Sequence, residues 1–194
     1  MSVLLIAGSP SERSRSAALL DAVAERLGLR QALIDRLHVR DLSPQALLLA
    51  DTTHKSVQHA LAQVASARAV VVATPVYKAA YSGVLKVFLD LLPQSGLQGK
   101  AVLPLATGGS PHHMLALDYA LRPVLQSLGA RHILSGVYAT DAQVPKDDQG
   151  VYRVGDEVAQ RLDVAVQSLL HEGLRMPVTG AFAPVPFDQV RCSV

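Results

Sequence analysis

A single cysteine, Cys192 near the carboxyl terminus, leaves the chain without an internal disulfide or a cysteine-built metal cage, and is compatible with a reducing compartment. Charge of one sign is also scarce. The formal net charge is only +2 and the Lys and Arg residues are scattered, which excludes the clustered basic face that nucleic-acid binding needs. Long apolar runs are missing as well. The amino-terminal apolar stretch has no basic residues before it and gives way after Ala7 to Gly8-Ser9-Pro10, too short for a signal-peptide core or a membrane span. The expectation is a buried first strand in a cytoplasmic protein with neither a membrane nor a nucleic acid as partner.

Several nucleotide and hydrolase signatures are absent too. There is no Gly-x-Gly-x-x-Gly, which disfavours a dinucleotide-type turn, and no Walker lysine, since Lys100 precedes Ala101. No Gly-x-Ser-x-Gly elbow occurs, which disfavours an esterase.

What is present is an alternation. With 194 residues, 49% apolar and 18% charged, the chain suits one folded domain with an ordinary core. Continuous apolar runs at residues 3–7, 69–74, 101–106 and 132–138, with a weaker one at 31–37, are what strands covered on both faces require. Between them, residues 14–27, 57–65, 84–92, 116–128 and 158–170 carry helical spacing, the first ended by Gly28. This predicts an α/β three-layer sandwich around a five-stranded parallel sheet, and the order 2-1-3-4-5 is taken by analogy with flavodoxin-like folds. Residues 1–175 form the predicted domain. Residues 176–194, with Pro177, Pro184 and Pro186 and no periodicity, are expected to be an extended or mobile tail.

Ligands of such a sheet bind beyond the carboxyl ends of its strands, near the switch point between the first and third. The loop after the first strand carries Ser9, Arg13, Ser14, Arg15 and Ser16 and runs into a helix, whose amino terminus offers N–H groups and a favourable dipole to a phosphate. A solvated loop ending in a serine cap is the alternative reading. The loop after the third strand, with Pro75, Val76, Tyr77 and Lys78, offers an apolar wall and backbone amides to a flat ring, unless its tyrosines merely cover the sheet end. After the fourth, Thr107-Gly108-Gly109 lets the backbone approach a ligand closely. The neighbouring His112 and His113 lack an acid or Cys to complete a metal site. Asp118 and Tyr119 read as a solvent-facing acid beside a packing tyrosine.

Three stretches, Ala7-Gly8-Ser9-Pro10, residues 73–83 from Ala-Thr-Pro-Val-Tyr-Lys to Ser-Gly, and Leu103-Pro104-Leu105-Ala106-Thr107-Gly108-Gly109, resemble the NADPH-dependent FMN reductase family of the flavodoxin-like superfamily. The similarity runs over roughly residues 1–170 and is strongest to the FMN reductases of two-component alkanesulfonate monooxygenase systems. It implies that Ser9, Ser14, Arg15 and Ser16 hold the FMN phosphate, that Pro75, Val76, Tyr77 and Lys78 line the isoalloxazine, and that Thr107, Gly108 and Gly109 flank its other edge. It further implies that Tyr119 lies in a π-helical bulge at a tetramer interface near the flavin. One departure stands out: Ser11 occupies the place of an arginine common in the family, leaving Arg13 or Arg15 to replace its charge.

The expected reaction is hydride transfer from NADPH or NADH to FMN, with no side chain nominated for proton transfer. Reduced FMN would then pass to a flavin-dependent monooxygenase of sulfonate or organosulfur metabolism, and the chain would form a homo-oligomer, dimer or tetramer. Alternatives are a quinone or azo reductase that retains its FMN, a flavodoxin-like electron carrier, and a receiver-type signalling domain. Carriers tend to be strongly acidic. Receivers need an acidic cluster at the strand ends, where this chain has Ser9 and Thr74.

Overall fold

Eight consecutive residues from Ala69 are buried, and residues 101–108 are buried throughout, so both strands need cover on two faces. In the computed structural model, which describes residues 2–174, two helical layers supply it. Side chains alternate across the sheet. Val70, Val72 and Val102 face a layer that includes Val57, Leu85, Phe88 and Leu125, while Val71, Leu5 and Leu103 face Leu19, Val23, Val158 and Leu162.

The strands are β1 (Ser2–Ala7), β2 (Leu33–His38), β3 (Ala69–Tyr77), β4 (Ala80–Tyr81), β5 (Ala101–Gly108), β6 (His132–Ile133) and β7 (Val137–Thr140). The parallel order is β2-β1-β3-β5-β6, with β7 also beside β5 and β4 antiparallel to β3. The expected order 2-1-3-4-5 therefore holds, and the architecture is the flavodoxin-like α/β sandwich. The helices are α1 (Arg15–Gly28), α2 (Pro44–Leu48), α3 (Lys55–Ser66), α4 (Gly83–Leu89), α5 (Arg122–Ser127) and α6 (Asp156–Ser168).

Local details add to these expectations or depart from them. The last strand is split: Ala101 pairs with His132 but Leu105 with Val137, so one extra residue enters opposite Pro104. Pro104 has no N–H to give its neighbour, and a side chain at Gly136 would meet the Pro104 carbonyl at 3.1 Å. α1 ends at Gly28 as expected, though without a left-handed turn there, since the positive φ of 58° falls on Gln31. The helix expected over 116–128 begins as a π-helix, Ala116–Leu121, before α5, so Tyr119 does lie in a π-helical segment as the resemblance implies; the last helix ends in a second π turn, Leu169–Gly173. Finally, α2 and β4 were not expected, being too short to show a period.

The tail expected at 176–194, with Cys192, lies outside the described residues. Among those described, no helix is long and apolar enough to cross a membrane.

Candidate functional site

The carboxyl ends of β1 and β3 are held together by a buried set of hydrogen bonds, and β5 lies beside β3 in the sheet with Thr107 opposite Pro75. The Gly8 N–H donates to the Ala73 carbonyl at 2.8 Å. A Cβ on Gly8 would stand 2.9 Å from Leu85 Cβ, so this approach requires glycine. Ser82, 1% exposed, donates from Oγ to the Gly8 carbonyl and accepts from the Leu85 N–H at 3.2 Å, capping α4. Thr74 Oγ1 accepts from the Ser82 N–H and donates to the Pro75 carbonyl, both at 3.0 Å. These bonds set the turn after β1 against the end of β3.

In the first loop the hydroxyls are partly used by the loop itself. Ser9 is buried and accepts from the Ser11 N–H at 3.1 Å. Ser14 caps α1 by accepting from the Ala17 N–H at 3.1 Å, and its Oγ lies 3.2 Å from that of buried Ser16. A single side-chain cap leaves other first-turn N–H groups without an intrahelical partner. Arg15 reaches across to a distant segment: Nε donates to the Val144 carbonyl at 3.2 Å, Nη1 lies 3.5 Å from Asp141 Oδ2, and the guanidinium sits 4.8 Å over the Tyr152 ring. Arg13 is exposed and makes no hydrogen bond or ion pair among the described residues.

The loop expected after the third strand is instead strand and hairpin. Val76 pairs with Tyr81 and Tyr77 with Ala80, so Lys78 and Ala79 form a two-residue turn with φ of 49° and 63°. Such a turn favours Asn-Gly, and two non-glycine residues hold it at a cost of about 1–3 kcal/mol each. Pro75 and Val76 are buried, whereas Tyr77 is half exposed and Lys78 exposed.

At the end of β5, Thr107 is buried and Gly108 packs closely beneath its neighbours. A Cβ on Gly108 would stand 2.7 Å from Tyr138 Oη and 3.3 Å from His113 Nδ1. Tyr138 donates to the Ser110 carbonyl at 2.6 Å; burial, and then the nearby Asp141 carboxylate, push its phenol pKa up, which keeps the proton in that bond. His112 and His113 lie on a 3-10 turn, Pro111–Met114, and the described residues contain no group of three or more potential metal ligands.

A cavity of about 210 Å³ joins the three segments. It brings together Ser14 and Arg15 from the first, Pro75, Val76 and Tyr77 from the second, and Thr107, Gly108 and Gly109 from the third. Ser9, Ser16, Lys78 and Tyr119 do not line it. Ser11, Arg13, Asp141 and Tyr152 do. Asp141 follows the last strand directly, so extending the strand-end rule to that strand would have found it; no signal marks Tyr152. Tyr119 is 78% exposed on the π-helix, not packed, close in sequence to Met114 and Leu115 at 54% each. Asp118 is tied to Arg122 at 3.0 Å.

A family model described as NADPH-dependent FMN reductase matches residues 1–144. The chain is 49% identical over 144 residues to an FMN reductase (NADPH) of Escherichia coli K12, covering 74% of this chain and 75% of that protein. It is 46% identical over 174 residues to an FMN reductase (NADPH) of Pseudomonas putida KT2440, covering 90% and 85%. Among solved structures, the apo form of an NADH:FMN oxidoreductase superposes with a TM-score of 0.77 at 43% identity, covering 86% of each chain.

Proposed function

The chain belongs to the NADPH-dependent FMN reductase family, as an NAD(P)H-dependent oxidoreductase acting on FMN, and on that premise we propose where the flavin binds and where its electrons go. The observation that carries the reading is the meeting of three strand-end segments on one cavity, two of them joined through buried Ser82.

The residues present suit a flavin mononucleotide. A phosphate monoester fits the amino terminus of α1, where N–H groups remain open and Ser9, Ser14 and Ser16 shape the loop. Pro75, Val76 and Tyr77 give an apolar wall for the ring, and Thr107, Gly108 and Gly109 present backbone with little side chain in the way. Lys78 holds the hairpin turn that presents Tyr77.

Bound FMN accepts a hydride from NADPH or NADH, so the protein has to hold and orient the two rings and needs no acid or base. Tyr77 and Gly109 are exposed and leave one side of the cavity open for the nicotinamide. Ser11, Glu12 and Arg13 are exposed too, so the phosphate is gripped by a loop facing solvent, which suits a flavin that departs after reduction. The recipient in this reading is a flavin-dependent monooxygenase of sulfonate or organosulfur metabolism. The flavin-binding unit is residues 1–175, and it assembles into a dimer or tetramer through the exposed Tyr119, Met114 and Leu115.

The test is anaerobic mixing of the protein and FMN with NADPH or NADH, followed by bleaching of the flavin absorbance. Turnover of free FMN well above that of quinones, with reduced FMN supporting a sulfonate monooxygenase, supports the reading. Flavin that stays bound while a quinone is reduced would replace it with a quinone reductase.

A further inference from the structure

We infer that Arg13 is the guanidinium that binds the flavin phosphate, and that Arg15 is a positioning residue strapped to the 141–152 segment. This rests on the proposed flavin site and names the charge that selects a phosphorylated flavin there.

A phosphate monoester carries about −1.5 to −2 charges at neutral pH, so its site needs a cation whose charge and donors are not already taken. Arg13 and Arg15 both line the cavity. Arg15 is committed on three sides: to the Val144 carbonyl, to Asp141 at 3.5 Å, and to the face of Tyr152 at 4.8 Å. The Asp141 carboxylate lines the same cavity and offsets the Arg15 charge. Turning Arg15 toward a phosphate would leave Asp141 unpaired beside a second anion, and like charges at that range repel.

Arg13 has none of these ties. It stands one residue before the Ser14 cap, at the end of α1 where N–H groups remain open, and is exposed with no partner among the described residues. The adjacent acid, Glu12, lies 3.9 Å from Arg40, which moderates its repulsion of an anion in the loop. No other described cation competes: Lys146 sits 5.1 Å over the Tyr152 ring, and neither it nor Lys78 lines the cavity. Arg13 is thus the one described cation of the cavity with charge to spare. Arg15 instead links the first turn of α1 to the chain carrying Tyr152.

The experiment compares FMN with riboflavin, which lacks the phosphate, in Arg13→Ala, Arg13→Lys and Arg15→Ala. Arg13→Ala should raise the KM and Kd for FMN about tenfold or more while shifting riboflavin far less, so the preference for FMN collapses. Arg13→Lys should restore part of it, and the salt dependence of FMN affinity should flatten in the alanine variant. Arg15→Ala should affect both flavins alike, keep their ratio, and speed proteolysis within residues 144–153. Wild-type preference retained in Arg13→Ala, or lost only in Arg15→Ala, overturns the inference while leaving the flavin site standing. Equal use of FMN and riboflavin by the wild type would overturn the proposed phosphate site and the inference with it.

Discussion

Ser82 Oγ donates to the Gly8 carbonyl, and through this bond the cap of α4 holds the turn after β1 in place. The two residues lie far apart in sequence, yet the bond ties the start of the first loop to the residue that follows the β3–β4 hairpin. Because Ser82 is almost fully buried, its loss cannot be made good by solvent.

Ser82→Ala should therefore leave the Gly8 carbonyl unsatisfied and the Leu85 N–H uncapped. A cost of about 1–3 kcal/mol follows, or a fall in Tm of roughly 3–10 °C. FMN affinity should fall as well, because the first loop loses its anchor to the second. A thermal melt and a flavin titration read the two effects, and an unaltered Tm would remove this bond from the account.

Gly108 and Tyr138 should behave as a coupled pair. Gly108→Ala drives a methyl group against Tyr138 Oη, displacing it from the Ser110 carbonyl and narrowing the cavity. Tyr138→Phe removes the hydroxyl at a cost of about 0.5–1.5 kcal/mol. In the double variant the methyl group finds room, so the combined loss should be smaller than the sum of the single losses in a double-mutant cycle. Strict additivity would mean that the contact does not limit the site.

The segment carrying Tyr152 should loosen in acid. Asp147 accepts from the N–H groups of Val151 at 2.9 Å and Gln149 at 3.0 Å and from Arg153 Nε at 2.8 Å, and these bonds, the one from Val151 first, hold its pKa below the ordinary carboxylate value. A carboxyl that is more acidic when folded stabilises the turn while ionised. That stabilisation is fully present above the unfolded value of about 3.9 and is lost as pH falls through the lower folded value. Hydrogen-exchange protection of the Val151 amide should drop over that acid range. Asp147→Asn should lower protection already at neutral pH and flatten the dependence; equal protection in both proteins at every pH would contradict it.

Tyr119→Ala tests the proposed assembly surface. Sedimentation velocity should show a smaller species, and flavin affinity or reductase turnover should change with it. If mass, affinity and turnover all match the wild type, Tyr119 has no part in assembly or flavin handling.

The amino-acid order alone determined the layered α/β architecture and most of the cavity's lining. Runs such as Ala69 to Thr74 are apolar without alternation, and only a strand covered on both faces tolerates that. The hydroxyl-rich and glycine-bearing stretches follow these runs directly, so their place at the strand ends could be read in advance. Tertiary structure decided the rest, through contacts between residues far apart in the chain. The break between β6 and β7 answers to Pro104 on a neighbouring strand, and the Lys78-Ala79 turn lacks the glycine that would have announced it. Which arginine is free is likewise settled by Asp141, Val144 and Tyr152, brought beside Arg15 only in the folded chain. A periodic pattern records which face of an element is dry, but the commitment of a charge depends on partners that the pattern does not encode.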